Sequence, residues 1–391
     1  MDPDLSALDD ALDDAGADGF LLDADSSTSD QLYLSGFDAS DPFVTLYTPD
    51  ETVVLVSGLE YSRAKNESRA DVVKRYSDYD YQQKRQEHDP ETARDLVYDE
   101  LLSEFDVSAV LTNARFPLSS ADGLRSRDFG VSPDDDDTVG DIRAVKTDEE
   151  VEYVKQAQKA NEASMHAAQD LIESADVRDG TLYHDGEPLT SERVREEIEV
   201  TLLRHGCSLD ETIVACGSDA AIPHDRGSGP LRADETIIID IFPRDKETKY
   251  HADMTRTFVK GEASEDAREF YDLTREALDA AFDALEPGAT GEEVHDAVCD
   301  VYEDAGPPTL RSDPTTETGF IHSTGHGVGL DVHEGPAVST GATDELKPGH
   351  IVTIEPGLYD PEIGGVRLED IVVVTEDGYE NFTDYPLDFE L

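Results

Sequence analysis

Four acidic side chains of this chain stand where a free carboxylate is expensive to keep. Asp240 follows three isoleucines in TIIIDIFP, Asp253 lies in HADMTRTFV, Glu355 ends the apolar run IVTI, and Glu369 stands just ahead of IVVV. Each stretch has the alternation and β-branched content of a strand, and each pair of stretches is joined by a polar loop, so two antiparallel hairpins are expected. A turn centred between Lys246 and Glu247 sets Asp240 opposite Asp253, and a turn centred on Glu362 sets Glu355 opposite Glu369, each pair on one face. Taken singly, each acid also reads as the solvated face of an edge strand. Taken together, four converging carboxylates raise one another's pKa unless cations neutralise them, and two divalent ions balance four negative charges.

The stretch GFIHSTGHGVGLDVHEG adds His322, His326 and His333 among five glycines. His322 and His326 have the spacing of a helical zinc pair, but Gly325, Gly327 and Gly329 argue against a helix, and His-Glu-x-x-His is absent. A glycine-rich strand or loop, where backbone passes close to a bound group, is expected instead. Carboxylates with one imidazole favour manganese, cobalt or iron, with zinc as a further candidate, over a thiolate site.

These groups need elements to hold them. From Leu5 to about Ile142 the pattern mixes short helices with strand-like runs at 19–22, 43–47, 53–56 and 107–111 and a helix over 90–105, a small α/β unit ending near the run Asp134–Asp137, which reads as a surface loop. A capping box, Thr147 with Glu150, opens the next helix, with Val151, Val154, Met165, Ala168 and Leu171 on one face. A second helix over 191–205 buries Val194, Ile198 and Leu202 and stops at Gly206. The strand TIVACG and the first hairpin follow. The order then repeats: a helix over 264–285, another opened by Thr290 with Glu293 and closed at Gly306, then the second hairpin. The expectation is an α/β (α+β) protein of two domains, residues 1–141 and 142–391, the second with an internal pseudo-twofold in which each half gives a hairpin to one curved sheet with helices outside.

Composition narrows the function classes. The 391 residues hold 31 Lys plus Arg against 91 Asp plus Glu, a formal charge of −60. Such a surface repels polyanions and anionic lipid, which excludes nucleic acid and membrane as partners. Carboxylates spread over all regions, with hydrophobic residues at 37%, read as a folded chain adapted to a salt-rich cytoplasm, where screening removes the self-repulsion. Cys207, Cys216 and Cys299 form an odd set without metal-type spacing, so no disulfide framework is expected. The start is acidic and no apolar run is long enough to span a bilayer, so a cytoplasmic location is expected.

The ordered series IDIFPRDKETKYHADMTRTF, HSTGHGVGLDVHEGP, TIEPGLY and GVRLEDIVVVTEDG, preceded by IRAVKTDEE, closely resembles the pita-bread metallopeptidases, in particular their Xaa-Pro dipeptidase and Xaa-Pro aminopeptidase branch; YLSGF resembles the creatinase-type N-terminal domain. The resemblance covers about residues 142–387 strongly and the N-terminal part more weakly. It implies two divalent ions per chain: Asp240 as bidentate ligand of one, Asp253 and Glu369 bridging both, His326 and Glu355 completing the other. It further implies hydrolysis of the bond before proline, at the N-terminus of di- or oligopeptides, by a metal-bridging hydroxide. Glu355 would be the base and proton shuttle, His333 would meet the carbonyl oxygen, and His224, in AAIPHD, the leaving nitrogen. Arg367 would pair with a substrate carboxylate or hold a metal ligand. His322 is similar to a substrate-pocket histidine and Tyr359 to a pocket-edge hydroxyl. The N-terminal domain would shape the pocket entrance and contribute to a homodimer. One departure is the distance of 13 residues from Asp240 to Asp253, two more than the family usually shows, read as a longer loop that preserves facing parity. Another hydrolase or a lyase on the same scaffold, or a non-catalytic binding module, are the alternatives. His251, like His88, His166, His184, His205, His295 and His350, matches no motif.

Overall fold

Apolar strands buried on both faces organise the N-terminal part. In the computed structural model, which describes residues 3–391, the chain divides into two compact units, one up to Arg143 and one from Ala144 to Leu391. In the first, strands β1 (Gly19–Ala24), β2 (Phe43–Tyr47), β3 (Thr52–Val56), β4 (Val72–Arg75), β5 (Ala109–Thr112) and β6 (Gly130–Pro133) form a mixed sheet in the order β4-β3-β2-β1-β5-β6. Every residue of FVTLY is buried, as expected for a strand covered on both sides. The helix Pro90–Glu104 is started by Asp89, whose side chain accepts from the backbone of Glu91 and Thr92, and it buries Val97, Tyr98, Leu101 and Leu102. The run Asp134–Asp137 forms the turn between β6 and the next helix.

The second unit has two helix pairs, each over its own sheet. Helix α1 (Asp148–Glu173) begins with the expected Thr147–Glu150 capping box and buries Val154, Met165, Ala168 and Ile172; Thr190 caps α2 (Ser191–Arg204), which buries Val194, Ile198 and Leu202. Their core includes Ile237, Ile239, Met254 and Phe258, from β9 (Thr236–Ile241) and β11 (Met254–Val259), which pair with each other and, through β9, with β8 (Thr212–Cys216). The two-residue strands β7 (Cys207–Ser208) and β10 (Arg244–Asp245) pair at the hairpin end. In the second half, α3 (Glu265–Ala284) and α4 (Gly291–Ala305) pack a core with Val352, Ile354, Val372 and Val374. Those residues lie on β14 (Ile351–Ile354) and β17 (Asp370–Thr375), the inner strands of a sheet completed by β12 (Gly325–Gly327), β13 (Glu334–Val338) and β18 (Gly378–Asn381). Between β14 and β17 runs the short hairpin β15 (Gly357–Asp360) and β16 (Gly364–Arg367).

Two expectations require correction. The hairpins do not share one continuous ladder. Pro356 has no N–H to give, and the second hairpin's pairing lapses beside it: β14 pairs with β17 and β15 with β16 in the same register, but as separate ladders. The halves are instead stitched at β11 and β16 by Thr257, whose hydroxyl donates to the Arg367 carbonyl (2.8 Å) and accepts from its N–H (2.9 Å), and by Glu369 N–H to the Thr255 carbonyl (3.1 Å). The first hairpin is also shifted by one turn position. Asp240 faces Thr255 rather than Asp253, because the turn is centred between Glu247 and Thr248. Asp245 decides this: one carboxylate oxygen accepts from the backbone N–H of Glu247 and of Thr248 and from the Thr248 hydroxyl, and Lys249 then turns with φ +71°. Facing parity survives the shift. The second hairpin keeps the expected register, with Ile354 opposite Asp370 and Gly357 opposite Arg367, which brackets Glu355 against Glu369.

Candidate metal centre

Strand parity sends the acids to one side. Asp240 on β9, Asp253 just before β11, Glu355 after β14 and Glu369 before β17 all line one cavity of about 630 Å³, together with His326 on β12. The glycines around His326 are forced by close approach: a Cβ at 325 would lie 1.9 Å from the Thr353 carbonyl oxygen, and one at 327 would lie 2.0 Å from that of Gly335. His326 is thus on a strand, as its glycines require, and its N–H is held by the Thr353 hydroxyl at 3.1 Å.

Asp253, His326 and Glu369 bring one ligand atom each within 4.8 Å of one another. His326 Nε2 lies 3.7 Å from Asp253 Oδ2 and 3.5 Å from Glu355 Oε1. Asp240 shares the cavity but not that tight group: its Oδ2 accepts from Arg367 Nη2 at 2.5 Å, while its buried Oδ1 meets no donor among the described residues. Thr255 Oγ1 donates to Glu369 Oε2 at 2.7 Å, orienting that carboxylate.

The electrostatics ask for cations. Burial first, then the charges of Glu369, Asp240 and Glu355, push Asp253 well above the usual carboxylate range; burial raises Glu355 to about 8; burial with Glu355 and Asp240 raises Glu369. Arg367 works against all three shifts, but a single guanidinium faces four acids. Burial, with His333 nearby, lowers His326 to about 4, so its imidazole is neutral near pH 7. Its Nδ1 lies 3.1 Å from the Gly327 carbonyl, which assigns the proton there and leaves the Nε2 lone pair directed at the acids. Oxygen-rich donors, one free imidazole nitrogen, raised carboxyls and the orphaned Asp240 oxygen fit divalent cations.

His224 and His333 line the same cavity, and the His333 ring centroid is 4.3 Å from that of His326. Arg367 and His322 also line the cavity, Arg367 holding Asp240 as one of its two expected roles requires, and both are bonded to Tyr359. Arg367 gives Nη1 to the Tyr359 hydroxyl (2.8 Å) and to the Pro223 carbonyl (3.5 Å), and Nε to Thr255 Oγ1 (3.2 Å). The Tyr359 hydroxyl is 2.9 Å from His322 Nε2, and His322 Nδ1 is 2.7 Å from the Ser323 carbonyl. Tyr359 is fully buried and does not line the cavity, a departure from the pocket-edge position expected. A buried guanidinium must have its donors satisfied, and this chain of contacts satisfies them. Burial lowers His322 to about 3 and raises Tyr359 to about 12.

Sequence reasoning passed over Phe242, Arg244 and His251, which line the cavity. The signal was available in strand parity: 240, 242 and 244 alternate onto one face, as do 251 and 253 on the returning strand.

Comparison with known proteins supplies the family. Residues 152–376 match the model described as metallopeptidase family M24, and residues 5–125 match the creatinase/prolidase N-terminal domain. The chain is 30% identical over 357 residues to the Xaa-Pro dipeptidase of Pyrococcus furiosus, covering 90% of each. Its fold is similar to that of an Xaa-Pro dipeptidase from Bacillus anthracis (TM-score 0.81, 25% identity, 99% of each chain). It is likewise similar to that of an X-Pro aminopeptidase from Thermotoga maritima (TM-score 0.78, 25% identity, 98% of this chain and all of the other). A family match over more than half its length, and a relative aligned along nine-tenths of both sequences, establish that the chain belongs to metallopeptidase family M24 and carries a creatinase/prolidase N-terminal domain.

Proposed function

We propose that this chain is a dinuclear metal-dependent exopeptidase that hydrolyses the bond between an N-terminal residue and a following proline. The observation that carries the reading is the convergence of four carboxylates and one neutral imidazole on a single cavity, with three of the acids driven up by burial and mutual repulsion. Asp240, Asp253, His326, Glu355 and Glu369 would hold two divalent ions, manganese or cobalt first, iron or zinc otherwise. Such ions acidify a water and polarise a carbonyl oxygen. The protein's own groups do the rest. Glu355, raised to about 8 by burial and freed of its proton only when cations occupy the site, would take a proton from the attacking water and pass it on. His333, an exposed residue of the cavity lining, donates to the carbonyl oxygen as negative charge builds there. His224 approaches the leaving nitrogen, which in a prolyl bond has no hydrogen of its own and leaves only once protonated.

Relatives named dipeptidase and aminopeptidase both share the fold, and the reading extends to a homodimer working in a salt-rich cytoplasm. Protein purified in molar salt should carry about two ions per chain by elemental analysis and cleave an Xaa-Pro dipeptide or a longer Xaa-Pro peptide with manganese or cobalt. Absence of both metal uptake and turnover would favour a binding module, and light scattering at the same salt reads the assembly state.

A further inference from the structure

The hairpin that carries Asp240 and Asp253 continues away from the acids, and its cavity face changes character. Asp240, Phe242 and Arg244 alternate onto that face; Asp253 and His251 do so on the returning strand, where Arg244 pairs with His251. The face therefore runs from acid through an aromatic ring to a cation. Each rung is about 7 Å from the next, at 3.3 Å per residue.

Three arginines line the cavity, and two of them are committed. Arg367 is held by Asp240, Tyr359, Thr255 and Pro223, and Arg226 is paired with Glu211. Arg244 is different. Its strand is fixed, with Ser208 opposite it on β7, and its Nε is bonded to the Lys249 carbonyl at 2.9 Å. Its two terminal nitrogens meet no acceptor among the described residues. In a chain with about three acids for every base, a cation left unmatched at a cavity wall is a place prepared for an anion from outside. The planar fork of a guanidinium suits a carboxylate.

We propose that Arg244 receives the C-terminal carboxylate of the substrate, so that the enzyme acts on short peptides that end one or two residues past the cleaved bond. This rests on the peptidase reading above. Asp253 stands one rung, about 7 Å, from the arginine rung, and a peptide advances at most 3.3–3.6 Å per residue, so the interval from that acid to Arg244 accommodates up to about two residues. Phe242 lies between Asp240 and Arg244 along the strand, level with Asp253, and offers a proline ring an apolar surface. Arg244 thereby supplies the specificity that Arg367, with each of its three nitrogens already bonded, does not.

The test compares Ala-Pro and Ala-Pro-Gly with their C-terminal amides, for the wild type, Arg244→Met and Arg244→Lys, each checked for an unchanged melting temperature. The wild type should prefer the free acid of one length by at least about tenfold in kcat/KM, the scale of a charge-assisted hydrogen bond, expressed in KM rather than kcat. Arg244→Met should erase that preference by raising the KM of the free acid, and Arg244→Lys should restore part of it. Equal rates on acid and amide in the wild type, or a preference that survives Arg244→Met, overturns the proposal. If no Xaa-Pro peptide is cleaved, the peptidase reading fails. Calorimetry with proline and prolyl-glycine against their amides then decides the carboxylate site: acid-selective binding lost in Arg244→Met supports it, and equal binding overturns it.

Discussion

A carboxyl pushed up to about 8 by burial holds its proton at neutral pH until something positive replaces it. Glu355, Asp253 and Glu369 all have folded pKa values above their unfolded ones, so the stability they contribute is full below the unfolded values, 3.8 for Asp253 and 4.5 for the glutamates, and is lost as pH rises through the folded value. The depressed histidines, His326 and His350 at about 4 and His322 at about 3, act in the opposite direction but have finished by pH 7. Between pH 7 and 9 the metal-free protein should therefore lose several degrees of melting temperature. Saturating manganese should abolish that slope, because the ions take the place of the protons. Asp253→Asn should flatten the slope without metal and prevent metal uptake. A metal-free melting temperature constant across this window, measured calorimetrically, would count against four acids sharing one desolvated space.

At the scale of elements, one buried side chain joins the two larger sheets that carry the hairpins of the second unit. Arg256, 1% exposed, donates to the carbonyls of Thr255 (3.0 Å), Glu369 (2.7 Å), Tyr385 (3.1 Å) and Pro386 (3.2 Å) and to Asp370 Oδ1 (2.8 Å). It thus bridges β11 to the start of β17 at the point where the ladders part, and it fixes the backbone from which Glu369 projects. Arg256→Met should cost about 3–5 kcal/mol in denaturant melts, since Asp370 is left buried with Asn381 as its one side-chain donor among the described residues. A loss below about 1 kcal/mol would show that other contacts hold the sheets. Capping boxes and helix faces were readable at this scale because they depend on residues three or four apart. The break at Pro356 and the turn set by Asp245 were harder to read, because each is a competition for backbone hydrogen bonds that a pattern of apolar residues does not record.

For the molecule as a whole, a formal charge of −60 over 391 residues is the dominant long-range term. Its self-repulsion acts across distances that salt shortens, from a screening length of about 10 Å at 0.1 M to about 3 Å at 1 M. The melting temperature should rise by roughly ten degrees or more between 0.1 M and 2 M potassium chloride, measured at fixed metal saturation. A protein indifferent to salt would refute the reading of its acidity as a solvent adaptation. No helix among the described residues is long and apolar enough to cross a membrane. The three cysteines are free, with Cys207 and Cys299 buried as small core residues.

The sequence by itself determined the strands that carry the acids, their facing parity, the family and the five candidate ligands. Those follow from residue type and period, which survive a shift in turn position: Asp240 and Asp253 stay on one face although they are not directly opposed. Only the tertiary structure decided how the remaining polar groups divide their bonds. Arg367, Tyr359 and His322 bond one another across segments far apart in sequence, and the terminal nitrogens of Arg244 meet no acceptor among the described residues. Hydrogen-bond saturation is a property of the assembled cavity, where each donor has a fixed and limited set of acceptors within reach.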